Sequence, residues 1–442
     1  MTSRKEQIGI DIVKTLQKAG HTAFFAGGCV RDSILKVSAK DYDVATSATP
    51  DQVEKLFEKT VPVGRQFGVM LAIIENEQFE IATFRKEGGY QDGRHPSWVK
   101  KSDPEEDAKR RDFTVNGLFY DPVKDKIIDY VGGVEDIHHR LISTIGKAEE
   151  RFSEDKLRLI RAVRFASTLN FKIEEETWFT LKKMATEIHH VSSERIRDEL
   201  VKIFTRPNAG LGLELLSESG LLKEILPEVE AMKGCAQSPD YHPEGDVFVH
   251  TKLLLDKLEN PTPTLAFSCL LHDVGKPPTF SRDGDKIHFY EHDRIGAEMS
   301  REILTRLRFS NKEIEAIVAA VSNHMRFMHV QEMRQGKLKT FLARDTFSEE
   351  LELHRIDCSS SHGKLDNYEF LKAKIQEFKA DELKPKPFLT GHRLMAAGIS
   401  SGPVMGQIIR EGYDLQLEGR FKNDDEAVQW AKERWKQLVD TE

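Results

Sequence analysis

Paired cysteines are missing from this chain. Its four cysteines, Cys29, Cys235, Cys269 and Cys358, lie far apart and form no CxxC pair. That excludes a zinc ribbon and a disulfide scaffold and is the pattern of free thiols in a reducing compartment. Long apolar runs are missing too, and no segment approaches the ~18–20 residues of a membrane span. The opening segment carries Ile8, Ile12 and Leu16 at helical spacing, with Gly20 closing the pattern. This predicts an amphipathic helix rather than a signal peptide, and a cytoplasmic location. Positive charge is in short supply: 65 Lys and Arg stand against 73 Asp and Glu, for a net charge of −8. A globally basic nucleic-acid coat is thereby excluded, and any RNA contact must use a local basic surface. Internal repeats and low-complexity tracts are absent.

What is present is ordinary globular material, 39% hydrophobic and 31% charged over 442 residues, enough for two to four domains. The pattern divides into four parts. Residues 1–145 alternate short strands and helices: Thr22–Ala26, Tyr42–Ala45, and a strand pair Val69–Ile74 and Phe79–Phe84. Thr49-Pro50-Asp51-Gln52 reads as a capped helix start. Residues 146–244 are helical, with periodic segments at Glu154–Thr168, Glu175–Ile188, Ser193–Phe204 and Leu211–Ser219. Residues 245–380 form a second helical unit, with a turn at Asp283-Gly284 between two extended pieces. The stiff Leu383-Lys384-Pro385-Lys386-Pro387 segment reads as a linker within a last part, 381–442, where Gly402-Pro403 opens a helix and Leu394, Met395, Ile408, Ile409 and Trp430 are expected in a core.

Several clusters carry chemistry. Gly27-Gly28 follows a strand and precedes Arg31, a turn at which backbone N–H groups can approach a phosphate. Asp41-Tyr42-Asp43 enters the next strand, where alternation predicts that the two carboxylates share a face and hold a hard cation such as Mg²⁺. Glu80, in a further strand, is a candidate third carboxylate. Arg110-Arg111-Asp112-Phe113-Thr114-Val115-Asn116 supplies guanidiniums suited to phosphate. Asp155 and Arg158, one helical turn apart, are expected to brace each other and to present groups to the edge of a base, with Arg161 and Arg164 further along. Lys432, Arg434 and Lys436 read as a solvated face.

These motifs, in this order and with Glu194-Arg195-Ile196 following, resemble those of class II tRNA nucleotidyltransferases and bacterial poly(A) polymerases. The resemblance is strong over residues 20–230. It implies an α/β nucleotidyltransferase head, a small mixed sheet with flanking helices, followed by an all-α body. It implies template-independent addition of CMP and AMP to the 3′ end of tRNA, with ATP and CTP as substrates. Asp41 and Asp43 would bind Mg²⁺. Gly28, Arg31 and Arg111 would hold the phosphates and sugar, Asp155 and Arg158 would read the base, and Arg161 and Arg164 would support the triphosphate or the helix. Addition of A alone and poly(A) synthesis remain open. The Gly88-Gly89 loop, running through Gln91-Asp92-Gly93-Arg94-His95, argues for A addition.

A second set, His250, His272-Asp273, Glu291-His292-Asp293, His324 and Asp357, resembles the HD phosphohydrolases. That resemblance implies a helical HD-type domain in which His250, His272, Asp273 and Asp357 hold a second divalent metal, with Gly275-Lys276 close by. The more distant functional alternative is therefore a metal phosphohydrolase acting on RNA ends or nucleotides. The oligomeric state leaves no signature in the sequence.

Overall fold

A computed structural model describes residues 3–90, 96–238, 245–378 and 385–439. The chain forms two compact units, Met1–Glu230 and Ala231–Glu442.

The first unit begins with the helix Arg4–Lys18, capped by the Ser3 hydroxyl and burying Ile8, Ile12, Val13 and Leu16. Eleven strands follow among the described residues of this unit: β1 Ala23–Ala26, β2 Asp43–Thr46, β3 Thr60–Gly64, β4 Val69–Ile74, β5 Glu77–Thr83, β6 Arg85–Tyr90, β7 Pro96–Lys101, β8 Phe119–Asp121, β9 Lys126–Ile128 and a short parallel pair, β10 Leu141–Ile142 and β11 Lys172–Ile173. Seven make one mixed sheet in the order β3-β4-β5-β2-β1-β8-β9. Only the β2–β5 neighbours in it run parallel. All four residues of β1, Ala-Phe-Phe-Ala, are buried, as an interior strand covered on both faces requires. Phe24, Phe84 and Phe119 pack together over this sheet. The β4–β5 turn is made by Glu75 and Asn76, both at positive φ (52° and 66°), the geometry of a two-residue hairpin. The Thr49–Gln52 capping box forms as expected. The glycine-rich segment after Phe84 is a ladder rather than a loop: β6 pairs with β7, and Trp98 lies on Gly88, where a Cβ would come within 2.8 Å of its ring. Its tip, 91–95, lies outside the described residues.

The helical part of this unit departs from expectation at two places, one being Glu175–Ile188, which divides into the helix Glu175–Lys183 and a 3-10 turn Ala185–His190. The helix expected over Glu154–Thr168 starts later, running Leu157–Leu169, and Glu154 instead ends a separate helix, Ala148–Glu154, with the backbone extended at Asp155 between them. Asp155 Oδ1 accepts the Leu157 N–H at 3.1 Å, an Asx turn that redirects the chain between the two helices.

The second unit is mainly helical. Val247–Asp256, Pro263–Leu271, His292–Arg306, Asn311–Asn323 and Phe347–Ser360 build the HD region, and the hairpin Phe280–Asp283/Lys286–Phe289 turns at Gly284. Phe327, Phe341, Phe347 and Leu371 form a further core. Leu394 and Ile408 lie in a terminal core with Ile409 and Trp430 against it. Met395, expected there, is 48% exposed instead. The helix expected at Gly402-Pro403 runs Pro403–Leu417. The linker residues Leu383 and Lys384 lie outside the described residues. All four cysteines are free. No described helix is long and apolar enough to cross a membrane.

Candidate active site

A cleft of about 540 Å³ opens in the first unit. The sheet supplies its acidic part. Asp43 is the first residue of β2, and the parallel register Val44↔Ile81 sets it beside Glu80 of β5. Both line the cleft. Like charges placed side by side on neighbouring strands repel. The Asp43 carboxyl is open to solvent through the cleft mouth, yet the surrounding walls and then Glu80 push it up to about 6, against the opposing pull of Arg111. Asp41 differs from expectation. It precedes the strand, so pleat alternation does not apply to it, and it is absent from the cleft lining. Its carboxylate binds Lys5 Nζ at 2.9 Å, though its charge still reaches Asp43.

The remaining wall is basic. Seven arginines (Arg31, Arg85, Arg110, Arg111, Arg158, Arg161, Arg195) face four carboxylates (Asp43, Glu80, Asp112, Asp155), so the cleft is locally positive in an acidic chain. Gly27 makes this packing feasible at the head of the helix that starts with Gly28. Its φ is +73°, and a Cβ there would sit 3.0 Å from Arg111 Nη1. Arg31 donates to Asn116 Oδ1 and Asp32 Oδ1, both at 2.7 Å. Arg111 donates to Asp107 Oδ2 at 3.1 Å and to the Asn116 carbonyl at 3.2 Å. Each arginine is held rigidly while keeping N–H groups in reserve.

At the helix break, Asp155 and Arg158 both line the cleft but do not pair with each other. Asp155 accepts from Arg195 at 2.7 and 3.2 Å, and Arg158 donates to Glu154 Oε2 and to the Arg151 carbonyl. The extended backbone at Asp155 turns its carboxylate away from Arg158 and toward the helix Ser193–Phe204. Arg195 therefore belongs to the cleft. The sequence showed it within a motif but gave its side chain no partner. Arg161 donates to Asp112 at 2.9 Å. Burial would raise the Asp112 carboxyl, but the guanidinium of Arg161 overrides it and holds the group below the usual range. Arg164 does not line the cleft: it lies over the Phe165 ring at 4.0 Å and pairs with buried Glu199 at 2.9 Å.

The second unit gathers the other expected set. His250 Nε2 stands 3.0 Å from Asp357 Oδ1 and 4.0 Å from Asp273 Oδ2, and His272 Nε2 stands 3.2 Å from Asp273 Oδ2. His292 and His324, present in the motif but outside the expected ligand four, join on the other side of Asp273, at 3.7 and 3.9 Å from its Oδ1. Glu291 turns away to Arg294. Three imidazoles are oriented in the same way. His272, His292 and His324 each donate Nδ1–H to the carbonyl three residues back, at 2.9, 2.8 and 2.6 Å. That tautomer leaves Nε2 as a lone pair. The His292 and His324 Nε2 atoms then face each other at 3.1 Å, and buried His272 Nε2 has no hydrogen bond. Acceptor atoms opposed in this way fit a shared cation. Burial, then His292 and His272, lower the His324 imidazole to about 4. His250, His272 and Asp273 form one candidate metal group, and Asp273, His292 and His324 another.

Known proteins match this architecture. A poly(A) polymerase head domain model matches residues 23–143, a model described as the probable RNA and SrmB-binding site of polymerase A matches 170–233, and an HD domain model matches 246–357. Heads and HD domains of these kinds depend on divalent metal. A crystal structure of the Bacillus stearothermophilus CCA-adding enzyme in complex with CTP aligns with a TM-score of 0.75 at 26% identity, covering 99% of this chain and 100% of that one. The CCA-adding enzyme of Bacillus subtilis is 43% identical over 217 residues, 49% of this chain and 54% of that one. That of Lactobacillus johnsonii is 32% identical over 423 residues, 95% of both chains. Likeness on that scale, together with the fold and the cleft, places the chain in the CCA-adding enzyme family.

Proposed function

We propose that this chain is a tRNA nucleotidyltransferase that adds CMP and AMP, without a nucleic-acid template, to build the 3′ CCA end of tRNA. The observation that carries the proposal is the joining of paired carboxylates, Asp43 and Glu80, to a wall of anchored arginines in one cleft. The RNA 3′-hydroxyl attacks the α-phosphorus of CTP or ATP, a new P–O bond forms, and pyrophosphate leaves. Asp43 and Asp41 would hold Mg²⁺, with Glu80 as a third acidic group beside them. When bound, that cation supplies Lewis-acid activation of the hydroxyl and neutralises triphosphate charge. Arg31 and Arg111, with the backbone at Gly28, bind the phosphates and sugar. Arg161 fixes Asp112, and Arg164 braces the templating helix from behind.

Cytosine and adenine share one feature: an exocyclic amine beside a ring-nitrogen acceptor. A carboxylate acceptor, Asp155, and a guanidinium donor, Arg158, held by separate partners in the same cleft, offer the complement of that pair. Uracil and guanine present the reverse order and leave both side chains facing like partners. In this proposal residues 1–145 are the catalytic head and 146–244 template the base and bind RNA. Residues 245–380 are the HD-type domain, and 381–442 are a tail that contacts tRNA. A cytoplasmic location fits such a substrate, and the β6–β7 ribbon serves A addition. Asp43→Asn should abolish nucleotide addition to tRNA while CTP binding measured by equilibrium dialysis persists. Normal turnover by this variant would remove the carboxylate from the mechanism.

A second activity is favoured by the opposed His292 and His324 nitrogens. The HD cluster would hold divalent metal through His250, His272, Asp273, His292, His324 and Asp357 and act as a phosphohydrolase on RNA ends or nucleotides. Metal analysis of the purified chain tests the first part: His272→Ala should lower bound Mn, Fe, Ni or Zn.

A further inference from the structure

A basic cavity of about 900 Å³ lies in the second unit, apart from the HD cluster. It is lined by Arg326, Arg334, Lys337 and Arg344, with His329, and by two carboxylates, Glu332 and Asp414. Two of these charges are already engaged. Arg344 lies 3.9 Å over the Phe341 ring and donates to buried Glu350 at 3.2 Å, and Glu332 stands 3.7 Å from His329. Arg326, Arg334 and Lys337 are exposed and make no side-chain hydrogen bond or ion pair among the described residues.

The helix that carries Lys337, with Arg334 at its start, is charged against its own dipole, and Arg326 lies on the preceding segment His324–Glu332. Gln335–Leu342 starts at Arg334, with no side-chain cap and no acid in its first turn, where Lys337 sits instead. Two helices elsewhere start the other way, while Leu157–Leu169, Ala209–Glu218 and Pro403–Leu417 likewise have no side-chain cap and no first-turn acid. Pro104–Lys109 has the Asp103 cap and three first-turn acids, and Asn311–Asn323 has the Ser310–Glu313 capping box. Cations at a helix N-terminus are unfavourable unless an anion joins them. The frame is also fixed in place. At Gly336 a Cβ would meet Glu418 Cγ at 2.6 Å and the Asp414 carbonyl at 3.0 Å, so this helix packs directly on Pro403–Leu417. Unpaired cations, an uncapped helix start and a rigid floor point to one ligand chemistry, a phosphate.

We propose that this cavity binds backbone phosphates of the RNA substrate. The proposal rests on the tRNA nucleotidyltransferase reading given above. A mononucleotide site is disfavoured because the Phe341 ring is covered by Arg344 and the other ring of the lining, His329, is engaged with Glu332. Three exposed cations on a short arc suit the repeating charge of a phosphodiester chain.

The test compares the full chain with the triple variant Arg326→Ala/Arg334→Ala/Lys337→Ala. A control of equal charge is Arg294→Ala/Arg301→Ala/Lys312→Ala, drawn from exposed helical positions in the same unit. Fluorescence anisotropy reads the Kd for a tRNA transcript lacking CCA between 50 and 200 mM salt. The expected result is a Kd raised at least tenfold in the cavity variant alone. The slope of log Kd against log salt should be shallower by about 3, roughly one for each cation removed. KM for CTP, measured at saturating tRNA, should be unchanged. An unaltered Kd and slope, an equal effect in the control, or a raised KM for CTP with tRNA binding intact would each overturn the proposal. Extension of tRNA by the unaltered protein is scored separately. Its absence would overturn the underlying reading, while the anisotropy still decides whether the cavity binds RNA.

Discussion

At the scale of single residues, the cleft works through partners that fix charged groups in place. Arg195 is a positioning residue in this sense, since it holds Asp155 from the neighbouring helix. Arg195→Ala should cut discrimination of CTP over UTP about tenfold, the value of one charge-assisted hydrogen bond, with a smaller change in kcat. Competition assays read this, and unchanged discrimination would detach Arg195 from base choice. The buried Asp112–Arg161 pair is structural. The folded pKa of Asp112 is depressed, so its contribution is present above the ordinary value of 3.8 and is lost as pH falls through the folded value. Asp112→Asn should therefore cost about 3 kcal/mol at pH 7. Urea titrations should show that difference shrinking as the pH drops below 3.8. Sequence identified most of these residues, because aspartate and arginine clusters announce phosphate chemistry. It mispaired Asp155 because the partner lies 40 residues away on another helix. Spacing along a chain shows only neighbours within one turn.

At the scale of elements, local signals were legible where local chemistry decides. The Thr49 capping box, the β4–β5 hairpin and the helix Ser193–Phe204 follow their sequence cues. The break at Asp155 did not, because helical spacing places Glu154 and Asp155 with Leu157–Leu169, and only the bond from the Leu157 N–H to the Asp155 carboxylate marks the turn. The ribbon β6–β7 was hidden by its glycines, which disguise a strand until Trp98 covers Gly88. Close element packing also frames the HD cluster. A Cβ at Gly275 would meet the His292 carbonyl at 2.2 Å and the Gly296 nitrogen at 2.6 Å. Gly275→Ala must move the start of the His292 helix. It should lower stability by about 1–3 kcal/mol and reduce bound metal per chain. A variant with full metal content and an unchanged melting temperature would show that the cluster tolerates displacement of His292.

At the scale of the whole molecule, the two candidate chemistries lie in different compact units, the cleft within Met1–Glu230 and the HD cluster within Ala231–Glu442. Each keeps its own charged groups, so the activities should separate. Asp43→Asn should abolish nucleotide addition and leave HD metal content intact. His272→Ala should do the reverse, and loss of both properties from either substitution would contradict independent sites. The central claim is tested most directly by giving the purified chain tRNA transcripts ending before CCA, after C and after CC. ATP, CTP and Mg²⁺ are supplied together, and the 3′ ends are sequenced. The account predicts a completed CCA on all three and no further growth. Addition of A only to the CC-ending transcript, long A tails, or no extension of any transcript would contradict it.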